Sequence, residues 1–139
     1  RDRYKGPIMP RATLEQLEGC VWPPADYESY LVTTVHRLRK KPLADFSVED
    51  LRIMIGQGVG LPHLVPLAVE VLEREPLAEG SFYPGDLLSN VIGAVSWLDS
   101  QPDLARRVAA VVRSLCAERE SVDAELRRRM AEFLERVRA

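Results

Sequence analysis

Apolar residues recur along this chain at three- and four-residue spacing, and prolines and glycines cut the recurrence into short runs. Thr13-Leu14-Glu15-Gln16-Leu17-Glu18-Gly19 has the outline of a short helix, with Thr13 and Gln16 placed for a capping box and Gly19 as its stop. Cys20 to Pro24 must be extended, because each proline disfavours helix in the residue before it. From Asp26, the positions Tyr27, Tyr30, Leu31, Val35 and Leu38 mark one face of a helix of about 15 residues, broken by Pro42. Ser47 caps the next helix, whose inner face is Val48, Leu51, Met54 and Ile55, and the glycine run 56–60 ends it. Leu61-Pro62 opens a helix with Leu64, Leu67, Ala68, Val71 and Leu72 inward and Val65 and Val69 flanking. Pro66 predicts a kink or a later start there, and Pro76 and Gly80 close the element.

A turn over 81–86 leads into a helix through Leu87, Leu88, Val91, Ile92 and Val95, finishing at Trp97 and Leu98. Pro102 starts another, with Leu104, Val108, Val111, Val112 and Leu115 inward. Ser121 is placed to cap the last, which turns Leu126, Met130, Phe133, Leu134 and Val137 to the core. No strand pair, hairpin signal or fixed repeat interrupts this order. The expectation is an all-α single-domain bundle of six or seven helices over residues 12–139. Residues 1–11 read as an unstructured extension, upstream or artificial, with Met9 a candidate native start.

Length and composition change this picture little. At 139 residues the chain can bury one ordinary core without metal or disulfide staples. No run approaches the roughly 18 apolar residues of a membrane span, and a secretory signal finds only its basic start in Arg1–Pro10. Cys20 and Cys116 stand far apart and are expected to be free buried thiols in a reducing cytoplasm. His36 and His63 have no metal-ligand spacing, with His36 beside an apolar face and His63 in a first turn open to solvent. Gly56-Gln57-Gly58-Val59-Gly60 follows no strand, lacks the third glycine of a dinucleotide loop and has no following lysine, so it reads as a helix stop. Glu70 and Glu73 share a helix face, but no other catalytic constellation supports them as an acid–base pair. The chain is expected to be neither an enzyme nor a holder of metals or cofactors.

Charge is distributed with more meaning. Residues 42–103 carry ten acids against two bases, a net −8, while 1–41 and 104–139 each stand at +3. The basic flanks concentrate in Arg37, Arg39, Lys40 and Lys41 at a helix C-terminus and in Arg127, Arg128 and Arg129. Four cations suit the helix dipole, and the arginine triplet fans around its helix with Glu132 and Glu135 as partners.

The run from Thr13 to about Leu88 resembles the bacterial contact-dependent growth inhibition (CDI) immunity proteins. The resemblance is carried by the Thr13–Glu18 segment with Trp22, by Ser29-Tyr30-Leu31-Val32, and by His36 through Leu43. It continues in Phe46, Glu49 to Arg52, Ile55-Gly56-Gln57, Pro66-Leu67-Ala68, Pro76 to Gly80 and Tyr83 to Leu88. Gly58 and Pro62 depart from the pattern, and little of it extends beyond about Ile92. The resemblance implies a non-catalytic cytoplasmic protein that binds and neutralises the C-terminal effector domain of a cognate toxin. Many such effectors are nucleases, and a carboxylate-rich face suits a groove built for phosphate. Glu70, Glu73, Glu75, Glu79 and Asp86 are the expected toxin-facing residues. Membrane and direct nucleic-acid partners are not expected. A helical nucleic-acid-binding or regulatory module using Arg37–Lys41 and Arg127–Arg129 is the alternative.

Overall fold

Ser47 shows how local chemistry starts these helices. Its hydroxyl accepts the Asp50 N–H at 3.1 Å while the Asp50 carboxylate accepts the Ser47 N–H at 3.0 Å. This reciprocal box opens α3 (Val48–Gly56), and the same exchange between Thr13 and Gln16 opens α1 (Leu14–Glu18). Ser29 caps α2 (Tyr30–Arg39) through the Val32 N–H. Pro42 ends that run and leads into a short 3-10 turn, Leu43–Asp45. The chain continues as α4 (Leu61–Arg74), α5 (Asp86–Gly93), α6 (Val95–Leu98), α7 (Pro102–Cys116) and α8 (Ala124–Arg138). This computed structural model describes residues 11–24, 29–117 and 122–138. Among them the only strand-like feature is an isolated bridge between Glu79 and Pro84.

Five helices close a ring. α3 packs on α4, α4 on α7, α7 on α8, α8 on α5, and α5 back on α3. Their inward residues form one continuous core that includes Met54, Leu64, Leu72, Leu88, Val112 and Met130. α2 attaches to this ring through α3, outside the closed circuit. That position leaves one side of α3 open between α2 and the loop that enters α5.

The all-α expectation holds, and its departures have physical reasons. The eighth helix arises because the element expected over 86–98 breaks at Ala94, dividing α5 from α6. α4 runs unbroken through Pro66, so no late start occurs. Its buried face is Leu64, Val65, Ala68, Val69 and Leu72, which offsets the roughly 3 kcal/mol that an interior proline costs. Val65 and Val69 are therefore core residues, with Leu67 and Val71 only half-buried. The helix starts at Leu61, one residue after Gly60 and three after Gly58, both in the left-handed region at φ 68° and 72°. That conformation makes the 56–60 run a stop between α3 and α4.

α2 begins at Tyr30, not Asp26, and Tyr30 and Leu31 are exposed instead of inward. Only its later turns pack, through Thr34, Val35, Leu38 and Arg39. Asp123 takes the capping role at α8, its carboxylate accepting the Leu126 N–H at 2.8 Å. Both cysteines are free but exposed, against the expectation of burial. Tyr27, Ser121 and residues 1–10 lie outside the described residues.

Candidate functional site

α3 places Glu49 and Arg52 three residues apart, where their side chains meet on one face. The Arg52 guanidinium grips Glu49 in a two-point fork, Nε to Oε1 at 2.7 Å and Nη2 to Oε2 at 2.5 Å. Asp86, the first residue of α5, brings Oδ2 to 3.8 Å from Arg52 Nε. These carboxylates also take the backbone of the loop before α5. Glu49 accepts the Ser81 N–H at 2.7 Å, and Asp86 accepts those of Gly80, Phe82 and Tyr83 at 2.6, 2.9 and 3.3 Å. Four consecutive amides are thus clamped by two side chains. Gly80 is required by proximity, since a Cβ there would lie 2.5 Å from Glu49 Oε1 and 3.2 Å from Asp86 Oδ2.

The clamp holds Phe82 outward. Its ring lies over the Arg52 guanidinium at 4.1 Å, while Asn90 Nδ2 donates to the Arg52 carbonyl at 2.8 Å and binds α5 to α3. Between this loop and the first turn of α2 lies a depression of about 400 Å³. Ile53, Gly56 and Gln57 of α3 line it, with Glu49 and Arg52 beside them. Tyr30, Leu31 and Phe82 also line it and are 79%, 39% and 70% exposed. Three of the large exposed apolar side chains therefore gather at one place.

The hydrogen bond to Arg52 is the main reason the Glu49 carboxyl titrates below its ordinary range, with burial opposing it. The same bond raises Arg52. A depressed folded value means this stabilisation is fully present above about pH 4.5, the ordinary glutamate value, and is lost as pH falls through the lower folded value. Unfolding in urea at neutral pH and at about pH 3 should therefore show a decline that Glu49→Gln flattens by about 1 kcal/mol. An equal decline in the variant would remove Glu49 as a source of acid sensitivity.

The five acids expected to face a toxin do not form one surface. Asp86 is 2% exposed and serves the loop from within, so it cannot present charge to a partner. Its sequence position at a helix start was legible, but the amides of 80–83 that bury it were not. Glu73 is forked to Arg107 of α7, with both contacts at 2.8 Å, and this pairing lowers its pKa. Glu70 is half-buried on the same helix, where its charge also acts on Arg107. Glu75 and Glu79 are exposed at the end of α4 and at the loop. Among the described residues, no ion pair involves either of them.

The basic clusters are largely consumed inside the fold. Arg39 is buried and paired with Glu18, Lys40 meets Glu15 at 2.7 Å, and Lys41 meets Asp50 at 2.6 Å. Arg127 donates to the Val122 carbonyl at 2.8 Å, Arg128 joins Glu125 and Glu132, and Arg129 bonds Ser89 of α5. Only Arg37 of these is exposed without such a contact among the described residues. The two basic patches of the nucleic-acid alternative are therefore mostly structural ties. His36 packs edge-on to Trp22, ring centroids 5.4 Å apart, and His63 is half-buried. The described residues contain no group of three histidines, cysteines or carboxylates that could hold a metal ion.

The family model of the CDI immunity proteins matches residues 16–108, two thirds of the chain. The chain belongs to the CDI immunity proteins. As a CDI immunity protein it has a toxin-neutralising role, and proteins of this family are in general non-catalytic. The matched region begins within α1, contains the whole Glu49–Arg52–Asp86 clamp and the depression beside it, and ends in α7. It runs past Ile92, where the fragments legible in the sequence had faded. Neither a curated protein nor a solved structure matches the chain. No helix among the described residues is long and apolar enough to cross a membrane.

Proposed function

We propose that this CDI immunity protein binds the C-terminal effector domain of one cognate toxin in the cytoplasm, and that the effector is a nuclease. The family match over residues 16–108 carries the reading. The immunity protein acts by occupancy, with no chemistry of its own. The nuclease assignment draws on the −8 segment over 42–103, because a surface that grips phosphates is cationic and an acidic inhibitor is drawn to it. Glu75 and Glu79 are the acids best suited to that contact, with Glu70 and Glu73 contributing less because Arg107 already balances their helix face. The role of Asp86 is indirect, through the loop it holds.

The test uses the effector domain encoded beside this chain, purified in an inactivated form. Reversing Glu70, Glu75 and Glu79 to lysine is expected to weaken binding about tenfold, mainly through slower association, and to flatten its dependence on salt. Unchanged affinity and unchanged salt dependence would remove these acids from the interface.

A further inference from the structure

We infer that a second depression, between the end of α5 and α8, receives a carboxylate side chain of the toxin's effector domain at Arg129, an inference that rests on the immunity reading above. The depression holds about 380 Å³. Ile92, Val95 and Phe133 give it an apolar lining, and Arg129, Glu132 and Arg136 give it charge. Two guanidinium groups thus stand against one carboxylate.

Two of these three charges are already met. Glu132 pairs with Arg128 at 2.7 Å, and Arg136 pairs with Asp99 at 2.5 Å. Arg129 is left over. It donates to the Ser89 hydroxyl and, at 3.1 Å, to the Ser89 carbonyl, both neutral acceptors. Among the described residues it forms no ion pair, whereas Arg39, Arg52 and Arg107 are each met by a carboxylate. Arg129 is half-buried, where a cation without an anion is costly. The carbonyl end of α5 offsets only part of that cost, being equivalent to about half a charge. The tie to Ser89 calls for N–H donors and not for a positive charge.

The unused donors select the occupant. A guanidinium has five N–H groups, and Ser89 accepts from two atoms of this one. A carboxylate can take those that remain in a fork, as Glu49 does with Arg52. One unmatched positive charge suits a singly charged carboxylate, while a phosphate dianion would find no second free cation in the lining. Access is open at Gly93, which is exposed and where a Cβ would stand 3.3 Å from Arg129 Nη2. The element also adjoins the acidic loop. Leu126, three residues before Arg129, lies against Gly85, and Glu79 bridges to Pro84 beside it. An acidic loop and a cationic socket on touching elements would fix a partner's orientation as well as attract it.

Binding of the inactivated effector domain to the full chain tests this. Gly93→Asp places the protein's own carboxylate beside Arg129 and should weaken binding at least about tenfold. Gly93→Ala adds the Cβ without the charge and should stay within about twofold of the parent. Glu132→Gln removes the one negative charge of the lining from an exposed position and should tighten binding about threefold. Thermal unfolding of each variant shows that it is folded; if Gly93→Asp is not, Glu132→Gln decides. Parent-level binding by folded Gly93→Asp, or an equal loss in Gly93→Ala, overturns the inference. Parent-level or weaker binding by Glu132→Gln does the same. If these variants bind like the parent while reversing Glu70, Glu75 and Glu79 weakens binding, the inference fails and the immunity reading stands. Failure of the parent itself to bind overturns the immunity reading, and this inference with it.

Discussion

Asp86→Ala is expected to lower the free energy of unfolding by about 3–5 kcal/mol, measured by urea denaturation at neutral pH. The carboxylate is 2% exposed and accepts three backbone N–H groups from the loop over 80–83. Alanine leaves those amides without the acceptor that orders the loop, and each such loss is worth about 1 kcal/mol or more. Arg52 also loses one of its two countercharges and is left to Glu49 alone. Asp86→Asn should lie between, because one amide oxygen can accept while the NH2 group opposes donors that already point at it. A cost below about 1 kcal/mol for Asp86→Ala would mean that the loop amides find other partners and that the clamp does not set this loop.

What was legible in the sequence follows the range of the interactions. The boxes at Thr13–Gln16 and Ser47–Asp50 join residues three apart, so short patterns disclosed them, as they disclosed the stop at 56–60 and the proline that opens α7. Burial of charge was not legible, because the partners are remote. Arg39 meets Glu18 across 21 positions, Arg107 meets Glu73 across 34, and Arg129 meets Ser89 across 40. Periodicity alone marked Tyr30 and Leu31 as core, since a period identifies a face but not how far along the helix another element covers it. For the same reason a count of carboxylates suggested one acidic surface where the fold has a buried clamp, a paired helix face and two exposed acids. The candidate site missed by sequence reasoning had one visible trace. Phe82 is an aromatic residue in a turn of serine, proline and glycine, where no hydrophobic period calls for it.

Arg39 supplies the second large effect. It is 1% exposed, and its guanidinium binds Glu18 through Nη1 and the Cys20 carbonyl through Nη2 at 2.6 Å. It also lies 4.2 Å over the Trp22 ring. One side chain therefore fastens α1 and the extended segment after it to α2. Arg39→Ala should cost about 3–4 kcal/mol, from the lost stacking area and the void beneath Trp22. Arg39→Met is the informative comparison. Its Nε is buried without a hydrogen-bond partner, so part of the guanidinium is already held at a cost. Glu18 and Cys20 both belong to exposed residues that water can reach once the arginine is gone. Methionine refills the volume against Trp22 without a buried charge, and its cost should be only about 1 kcal/mol. Arg39→Lys should cost about 2 kcal/mol, because an ammonium cannot serve both acceptors and lie flat on the indole. Urea midpoints rank the three. Methionine as damaging as alanine would show that the two hydrogen bonds, not the filled volume over Trp22, hold α1 to the domain.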